Sequence, residues 1–238
     1  MSALHISQLY KDYQLDSVSV PALVDINLTI QPQRFTVLSG PSGSGKTTLL
    51  NLIACLDKPD SGEIIIAGQN VKHLSDDALA DFRARHIGFI FQNFNLLPVL
   101  TAFENIEYPL ILAKMPAAQR KARVLTLLDA VGLGDKARNL PGQLSGGQRQ
   151  RVAIARALAS KPDWVLADEP TANLDSHTGQ AIIALMRQIQ RDLNTSFIFS
   201  SHDPQVLAAA DDAVLIRDGR IITNHKTTPN HLAEEALA

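Results

Sequence analysis

The stretch GPSGSGKTT, Gly40 to Thr48, places a lysine and four hydroxyls inside a glycine-rich turn, and that combination is suited to phosphate. Its glycines (Gly40, Gly43, Gly45) let successive backbone N–H groups curl round phosphate oxygens, and Pro41, Ser42, Ser44 and Thr48 complete the loop. Lys46 is placed to contact the β- and γ-phosphates, and Thr47 to ligate Mg²⁺. An acidic stretch, WVLADEPT, delivers Asp168 and Glu169 at the end of an apolar run. Asp168 is placed to hold the metal, directly or through water. Glu169 is placed to orient and deprotonate an attacking water. Adjacent acids after a strand often only cap the next helix; beside a phosphate loop they acquire a chemical purpose.

Two further polar residues follow apolar β-rich runs. Gln92 ends HIGFIFQ, where its amide could reach the metal or the water. His202 follows SFIFSS and could hydrogen-bond the γ-phosphate. Either residue alone also reads as a structural hydrogen-bonder. A second glycine turn, LSGGQ, carries Ser145, Gly146, Gly147 and Gln148. It lacks a lysine and a metal ligand, so it is a poor nucleotide site by itself. It reads equally as a lid on a γ-phosphate held elsewhere or as a capped turn into a helix.

The elements that must position these groups follow from periodicity. Residues 1 to 38 read as strands, among them DINLTI and RFTVL, the second running into the phosphate loop. KTTLLNLIACLD has helical spacing and is closed by KPDSG. GEIIIAGQNV reads as an edge hairpin, SDDALADFRARH as a capped helix and HIGFIFQ as a strand ending on Gln92. From Asn93 to about Gly142 the pattern is helical, interrupted by Pro98, Pro109, Pro116 and Pro141. SGGQRQRVAIARALAS is a helix with Val152, Ala155, Leu158 and Ala159 on one stripe. DWVLADEP and SFIFSSHD are buried strands flanking the helix SHTGQAIIALMRQIQRDL. A short helix and a hairpin turning at Asp218-Gly219 complete the pattern, and the polar tail after about Thr223 is expected to be loosely ordered. Strands apolar throughout, alternating with helices, imply an α/β fold with a mostly parallel sheet covered on both faces.

The 238 residues are 45% hydrophobic and 19% charged, with a formal net charge of −2. Such a balance argues against nonspecific nucleic-acid binding as the main task. The single cysteine, Cys55, cannot form an internal disulfide and sits in an apolar run, where it reads as a packing residue. No apolar run approaches the roughly 20 residues needed to span a bilayer, and the N-terminus lacks the pattern of a secretory signal.

Taken in order, GPSGSGKT, the Gln92 turn, LSGGQRQR, VLADEP, TANLDS and SHD resemble the ATP-binding cassette (ABC) ATPases along nearly the whole chain. The resemblance implies a P-loop NTPase fold with an N-terminal antiparallel β part and an inserted helical subdomain. It implies one nucleotide-binding domain, with a catalytic core of about 1–92 and 161–223, a helical subdomain of about 93–160 and a tail of about 224–238. Its ligands would be ATP and Mg²⁺. Two copies would pair head to tail on binding ATP, Ser145, Gly146, Gly147 and Gln148 of one closing over ATP held by Gly40 to Thr48 of the other. Asp175 in TANLDS would fall at the subunit junction, and Tyr13 matches the aromatic that stacks on adenine, with Tyr10 the alternative.

Within that family the text is most similar to bacterial lipoprotein-release, macrolide-efflux and cell-division ATPases, and amino-acid importer ATPases share much of it. A separate integral membrane subunit is therefore expected, with this chain cytoplasmic and peripheral on the inner face of the membrane. Coupling is expected through Asn93 to Pro109, whose FNLLPVL reads either as a docking face or as subdomain core. Ala54 before Cys55, and Ser201 before His202, depart from the usual pattern without touching a catalytic group. The rival class is a soluble cassette ATPase acting on nucleic acid or ribosomes; such proteins commonly carry two cassettes or large insertions.

Overall fold

A computed structural model describes residues 2–16 and 18–226. Two sheets organise it. The first is antiparallel: β1 (Leu4–Leu15) pairs with β2 (Val18–Ile30) and with β4 (Ser61–Ile66), and β5 (Gln69–Asn70) edges β4, giving the order β2-β1-β4-β5. The second contains β3 (Phe35–Ser39), β6 (Ile87–Ile90), β7 (Trp164–Asp168), β8 (Ser196–Ser200), β9 (Asp212–Arg217) and β10 (Arg220–Lys226), in the order β10-β9-β3-β8-β7-β6. All its neighbours are parallel except the β9–β10 hairpin.

The inner strands alternate between two cores, which explains why they are buried along almost their whole length and carry consecutive apolar residues. Val37, Val165, Phe197 and Phe199 face one cluster, shared with α3 (Ala102–Leu112), α4 (Ala117–Ala130), α5 (Gly146–Ala157) and α6 (Ser176–Leu193). Leu38, Leu166, Ile198 and Val214 face the other, shared with the antiparallel sheet, α1 (Lys46–Ile53) and α2 (Asp76–His86). Each such side chain stabilises the fold by about 1.5–3 kcal/mol. α3, α4 and α5 also pack on one another, forming a helical group between β6 and β7 in the chain. A short helix, α7 (Pro204–Ala208), follows β8.

Several boundaries differ from the sequence expectation. α1 stops at Ile53 instead of running to Asp57, because Cys55 takes a left-handed conformation with φ 55°. Leu56 N–H then bonds Asn51 O at 2.9 Å and Cys55 N–H bonds Leu52 O at 3.1 Å. These two bonds close the helix in a Schellman motif, with cysteine where glycine is usual. Burial pushes the Cys55 thiol up to about 11, so it is a packing residue. β6 ends at Ile90, two residues short of Gln92: after Ile90 pairs Ala167 the chain turns away, and Phe94 and Asn95 are both left-handed. β10 continues past Thr223 to Lys226, because β9 offers it partners as far as Asp212. The rest of the expected tail lies outside the described residues.

The hairpin predicted at Asp218-Gly219 is present, with φ 49° and 69°, the left-handed pair of a two-residue type I′ turn. It also braces the phosphate loop. Gly219 N–H donates to Ser44 O at 3.0 Å, and Gly219 O accepts from Val24 N–H at 2.8 Å. A Cβ on Gly219 would stand 2.7 Å from Ala22 O, so only glycine lets the turn wedge between loop and sheet.

Candidate active site

The C-terminal ends of β3, β6, β7 and β8 lie along one edge of the parallel sheet, where open α/β sheets bind ligands. A cavity of about 360 Å³ opens there, lined by the phosphate loop with Gln92, Glu169, His202, Ala22 and Ala172. Residues far apart in sequence thus converge because parallel strands all present the same end.

The phosphate loop is held open by its glycines. Gly40, Gly43 and Gly45 have φ of 139°, 77° and 104°. Gly45 is the N-cap of α1 and no side chain bonds the first turn. Those amides are left for an anion, at the positive end of the helix dipole. Lys46 is buried, and its Nζ donates to Gly40 O and Pro41 O at 2.8 Å each. Burial pulls the ammonium below the ordinary lysine range, while Glu169 and Asp168 pull the other way. An ammonium so desolvated gains when an anion reaches it. Ser44 Oγ is buried without a hydrogen-bond partner, and Pro41, Ser42 and Gly43 are exposed.

Asp168 is the last residue of β7, and Thr47 Oγ1 donates to its Oδ1 at 3.0 Å. Glu169 follows with φ 43°. This left-handed conformation is costly for a side-chain-bearing residue and is typical of functional sites. Two backbone bonds hold it: Glu169 N–H to Ser200 O at 2.9 Å, and Ala172 N–H to Glu169 O at 3.1 Å. Its carboxylate then meets His202 Nδ1, at 2.8 Å from Oε1, and Ser201 Oγ, at 3.5 Å from Oε2. The Glu169 side chain is 15% exposed and that of His202 74%. With Nδ1 turned to Glu169, the other ring nitrogen, Nε2, is left for another partner.

Gln92 lies on the turn after β6, exposed and lining the cavity. Asn173 Nδ2 donates to Gln92 O at 2.9 Å and to Asn93 Oδ1 at 3.0 Å, tying this turn to the loop after Glu169. Arg156 of α5 donates to Phe94 O at 2.8 Å and to Asn95 O at 2.6 Å, securing the strained pair beyond it. Neither Asn173 nor Arg156 was singled out by sequence reasoning, since an asparagine in a turn and an arginine on a helix are ordinary. The buried Asn105 was also missed. It bonds Leu97, Leu100 and Thr101 and shapes the FNLLPVL segment, on which Val99 is 81% exposed.

The structure does not bring every expected residue to the cavity. Ser145, Gly146, Gly147 and Gln148 lie outside its lining. Ser145 Oγ accepts from Gln148 N–H at 3.3 Å, and Gln148 Oε1 accepts from Ser145 N–H at 2.9 Å, a capping box on α5. Asp175 caps α6, accepting from Thr178 N–H at 3.0 Å and Thr178 Oγ1 at 2.6 Å. Tyr13 is partly exposed on β1, and its phenol donates to Asp57 Oδ2 at 3.0 Å. No helix among the described residues is long and apolar enough to cross a membrane.

Residues 23–172 match the ABC transporter family model. An uncharacterized ABC transporter ATP-binding protein of Thermotoga maritima is 46% identical over 92% of this chain and 93% of its own length. Macrolide export ATP-binding/permease protein MacB 1 of Yersinia pestis is 45% identical over 99% of this chain, which spans 36% of that relative. Among solved structures, the ATP-binding cassette MJ0796, in a dimeric post-hydrolysis state bound to ADP and Pi, superposes with a TM-score of 0.86 at 41% identity, covering 94% of this chain and 98% of the other. A phosphate loop, strand-end acids and a histidine assembled on one sheet edge agree with these similarities: the chain belongs to the ABC transporter family, as an ATP-binding cassette that hydrolyses ATP.

Proposed function

We propose that two copies of this cassette pair head to tail around two ATP molecules and drive a separate integral membrane subunit. The carrying observation is the separation of two anion-suited helix starts. The phosphate loop opens into the cavity with Lys46, Glu169 and His202, while Ser145 to Gln148 lies outside it. A helix N-terminus outside its own chain's cavity suits the γ-phosphate of a nucleotide held by a partner. Asp175 would then stand at the junction, and Tyr13 against the adenine. The cassette MJ0796, solved as a dimer, supports this arrangement.

In the proposed site, Lys46 neutralises β- and γ-phosphate charge. Glu169 accepts a proton from water as its oxygen bonds the γ-phosphorus and the bond to the β–γ bridging oxygen breaks. His202 faces the Glu169 carboxylate through Nδ1 and, when Nε2 carries a proton, donates a hydrogen bond from it to a γ-phosphate oxygen. The donors Thr47 Oγ1, Asp168 Oδ1 and the Gln92 amide are hard oxygens, the first two 3.0 Å apart. The described residues contain no cluster of three or more His, Cys, Asp or Glu that would form a protein-only metal cage. That set fits Mg²⁺, which prefers oxygen and shares its shell with water and substrate phosphates. Bound there, Mg²⁺ supplies charge neutralisation on the transferred phosphoryl group.

The chain divides, on this reading, into a catalytic core of about 1–92 and 161–223 and a helical subdomain of about 93–160. The exposed FNLLPVL segment carries motion to the membrane subunit and holds the cassette at the cytoplasmic face. Similarity to the macrolide export ATP-binding/permease protein supports a place near the efflux and extraction machines.

Glu169→Gln tests the pairing. Turnover should fall by roughly 10²–10⁴, the range for losing a general base, with ATP binding retained. Light scattering should then show an ATP-dependent doubling of mass. A variant that stays monomeric at saturating ATP and high protein concentration would overturn head-to-tail pairing.

A further inference from the structure

The sequence reading picks out Tyr13 but not what holds it. Asp57 lies four residues beyond the end of α1, and both of its oxygens are engaged. Oδ2 accepts from the Tyr13 phenol at 3.0 Å, and Oδ1 accepts from Lys11 Nζ at 3.1 Å. Lys11 is 8% exposed, unusual for a lysine, and its Nζ also donates to Lys58 O at 2.8 Å and lies 3.8 Å from Asp60 Oδ1. The same ammonium sits 5.2 Å from the Tyr13 ring centroid. The Thr48 side chain is near enough to the phenol to act against the rise that burial and Asp57 impose on its pKa, and Thr48 lines the nucleotide cavity. One end of the ring is therefore tied to the segment after α1, close to the phosphate loop.

We propose that Asp57 and Lys11 are positioning residues for the base end of the nucleotide, fixing the Tyr13 ring at the cavity edge so that a purine stacks on the face opposite Lys11. The inference rests on the reading of Tyr13 as the stacking ring. A free tyrosine on a strand turns about χ1 and χ2, and a purine must then order it on binding; a ring already held loses less freedom. Burial is the first influence on Asp57 and pushes its carboxyl up. Hydrogen bonds from Lys11, the Lys58 amide and Tyr13 outweigh it and hold the group below its ordinary value, so the carboxylate stays an acceptor for the phenol. Lys11 serves twice, as the ion-pair partner of Asp57 and as a cation against the ring, a contact that strengthens as both are desolvated. α1 thereby begins at the phosphate-binding lysine and leads at its other end to the residue that sets the base platform.

The test separates base from phosphate. Calorimetric titration with ADP and with inorganic pyrophosphate gives two dissociation constants per variant, and only the first includes the base. Asp57→Asn and Tyr13→Phe should each weaken ADP roughly 5- to 10-fold, about the net worth of one ordinary hydrogen bond. Pyrophosphate affinity should stay within about twofold. The double variant should lose less than the two single losses combined, because both disturb the Asp57–Tyr13 bond. Equal losses for ADP and pyrophosphate would mean that Asp57 acts on the phosphate loop, and would overturn the inference, as would unchanged ADP affinity in both variants. Tyr13→Ala distinguishes the underlying reading. If it leaves the ADP-to-pyrophosphate ratio untouched, Tyr13 is no base platform. If it shifts the ratio while Asp57→Asn and Tyr13→Phe do not, only the positioning role fails. Tyr13→Phe keeps ring and fold, so a folding defect in Asp57→Asn leaves the inference testable.

Discussion

The two glycine-rich helix starts of this chain look alike in sequence and differ in physics. In the phosphate loop the glycines are there for backbone conformation: Gly40, Gly43 and Gly45 all have positive φ, and no side chain caps α1. At Leu144 to Gln148 neither glycine has positive φ, and the helix is capped by its own Ser145 and Gln148. Here glycine provides space, since a Cβ on Gly147 would come 2.6 Å from Thr178 Cγ2. The first turn leaves its amides open beside a buried lysine; the second is closed upon itself in the single chain. Glycine content alone therefore does not identify an anion site. The conformation that glycine permits, and whether side chains already occupy the first-turn amides, decide whether a turn can hold a nucleotide within its own chain.

This contrast can be broken at its strongest point first. Gly40→Ala would place a Cβ 2.0 Å from Ile216 O at a φ of 139°. Backbone cannot yield as a side chain can, so a stability loss of about 2–4 kcal/mol is expected by urea denaturation. Ser145→Ala removes one half of the capping box on α5 and should cost about 1 kcal/mol in the same measurement. Gly147→Ala should be smallest. The colliding atom is a side-chain methyl, and alanine gains helix propensity over glycine, leaving a net change within about 0.5 kcal/mol. Placed in the Glu169→Gln background, however, Gly147→Ala should weaken ATP-dependent pairing, read by light scattering. A Gly147→Ala destabilisation as large as that of Gly40→Ala would erase the distinction between the turns. Undiminished pairing would remove the second turn from the shared site.

Much of this was legible from residue types. Strands with consecutive apolar residues announce a sheet buried on two faces, and the alternation of Phe197, Ile198 and Phe199 between two cores is the reason. The Asp218-Gly219 hairpin and the Ser75 cap of α2 followed from turn and capping chemistry. Boundaries were less legible where tertiary contacts override local preference. Cys55 ends α1 in a conformation that its side chain disfavours, and β6 stops before Gln92 because the chain beyond it is drawn to Arg156. The supports of the site were the least visible. Lys11 and Asp57 are 46 residues apart, Gln92 and Asn173 are 81 apart, and no local pattern connects either pair.

By itself the sequence determined the chemical inventory: a lysine and hydroxyls within a glycine turn, two acids, a glutamine and a histidine after β-rich runs, and a second turn without nucleotide-holding groups. Those are properties of residue type and short spacing, set by local conformational preference. Only the tertiary structure decided which of them share a cavity, that Glu169 is gripped by His202 and Ser201, that Ser145 to Gln148 stand apart, and that Tyr13 is anchored through Asp57. Such pairings depend on the parallel register that aligns four strand ends, and register is fixed by packing across the whole sheet.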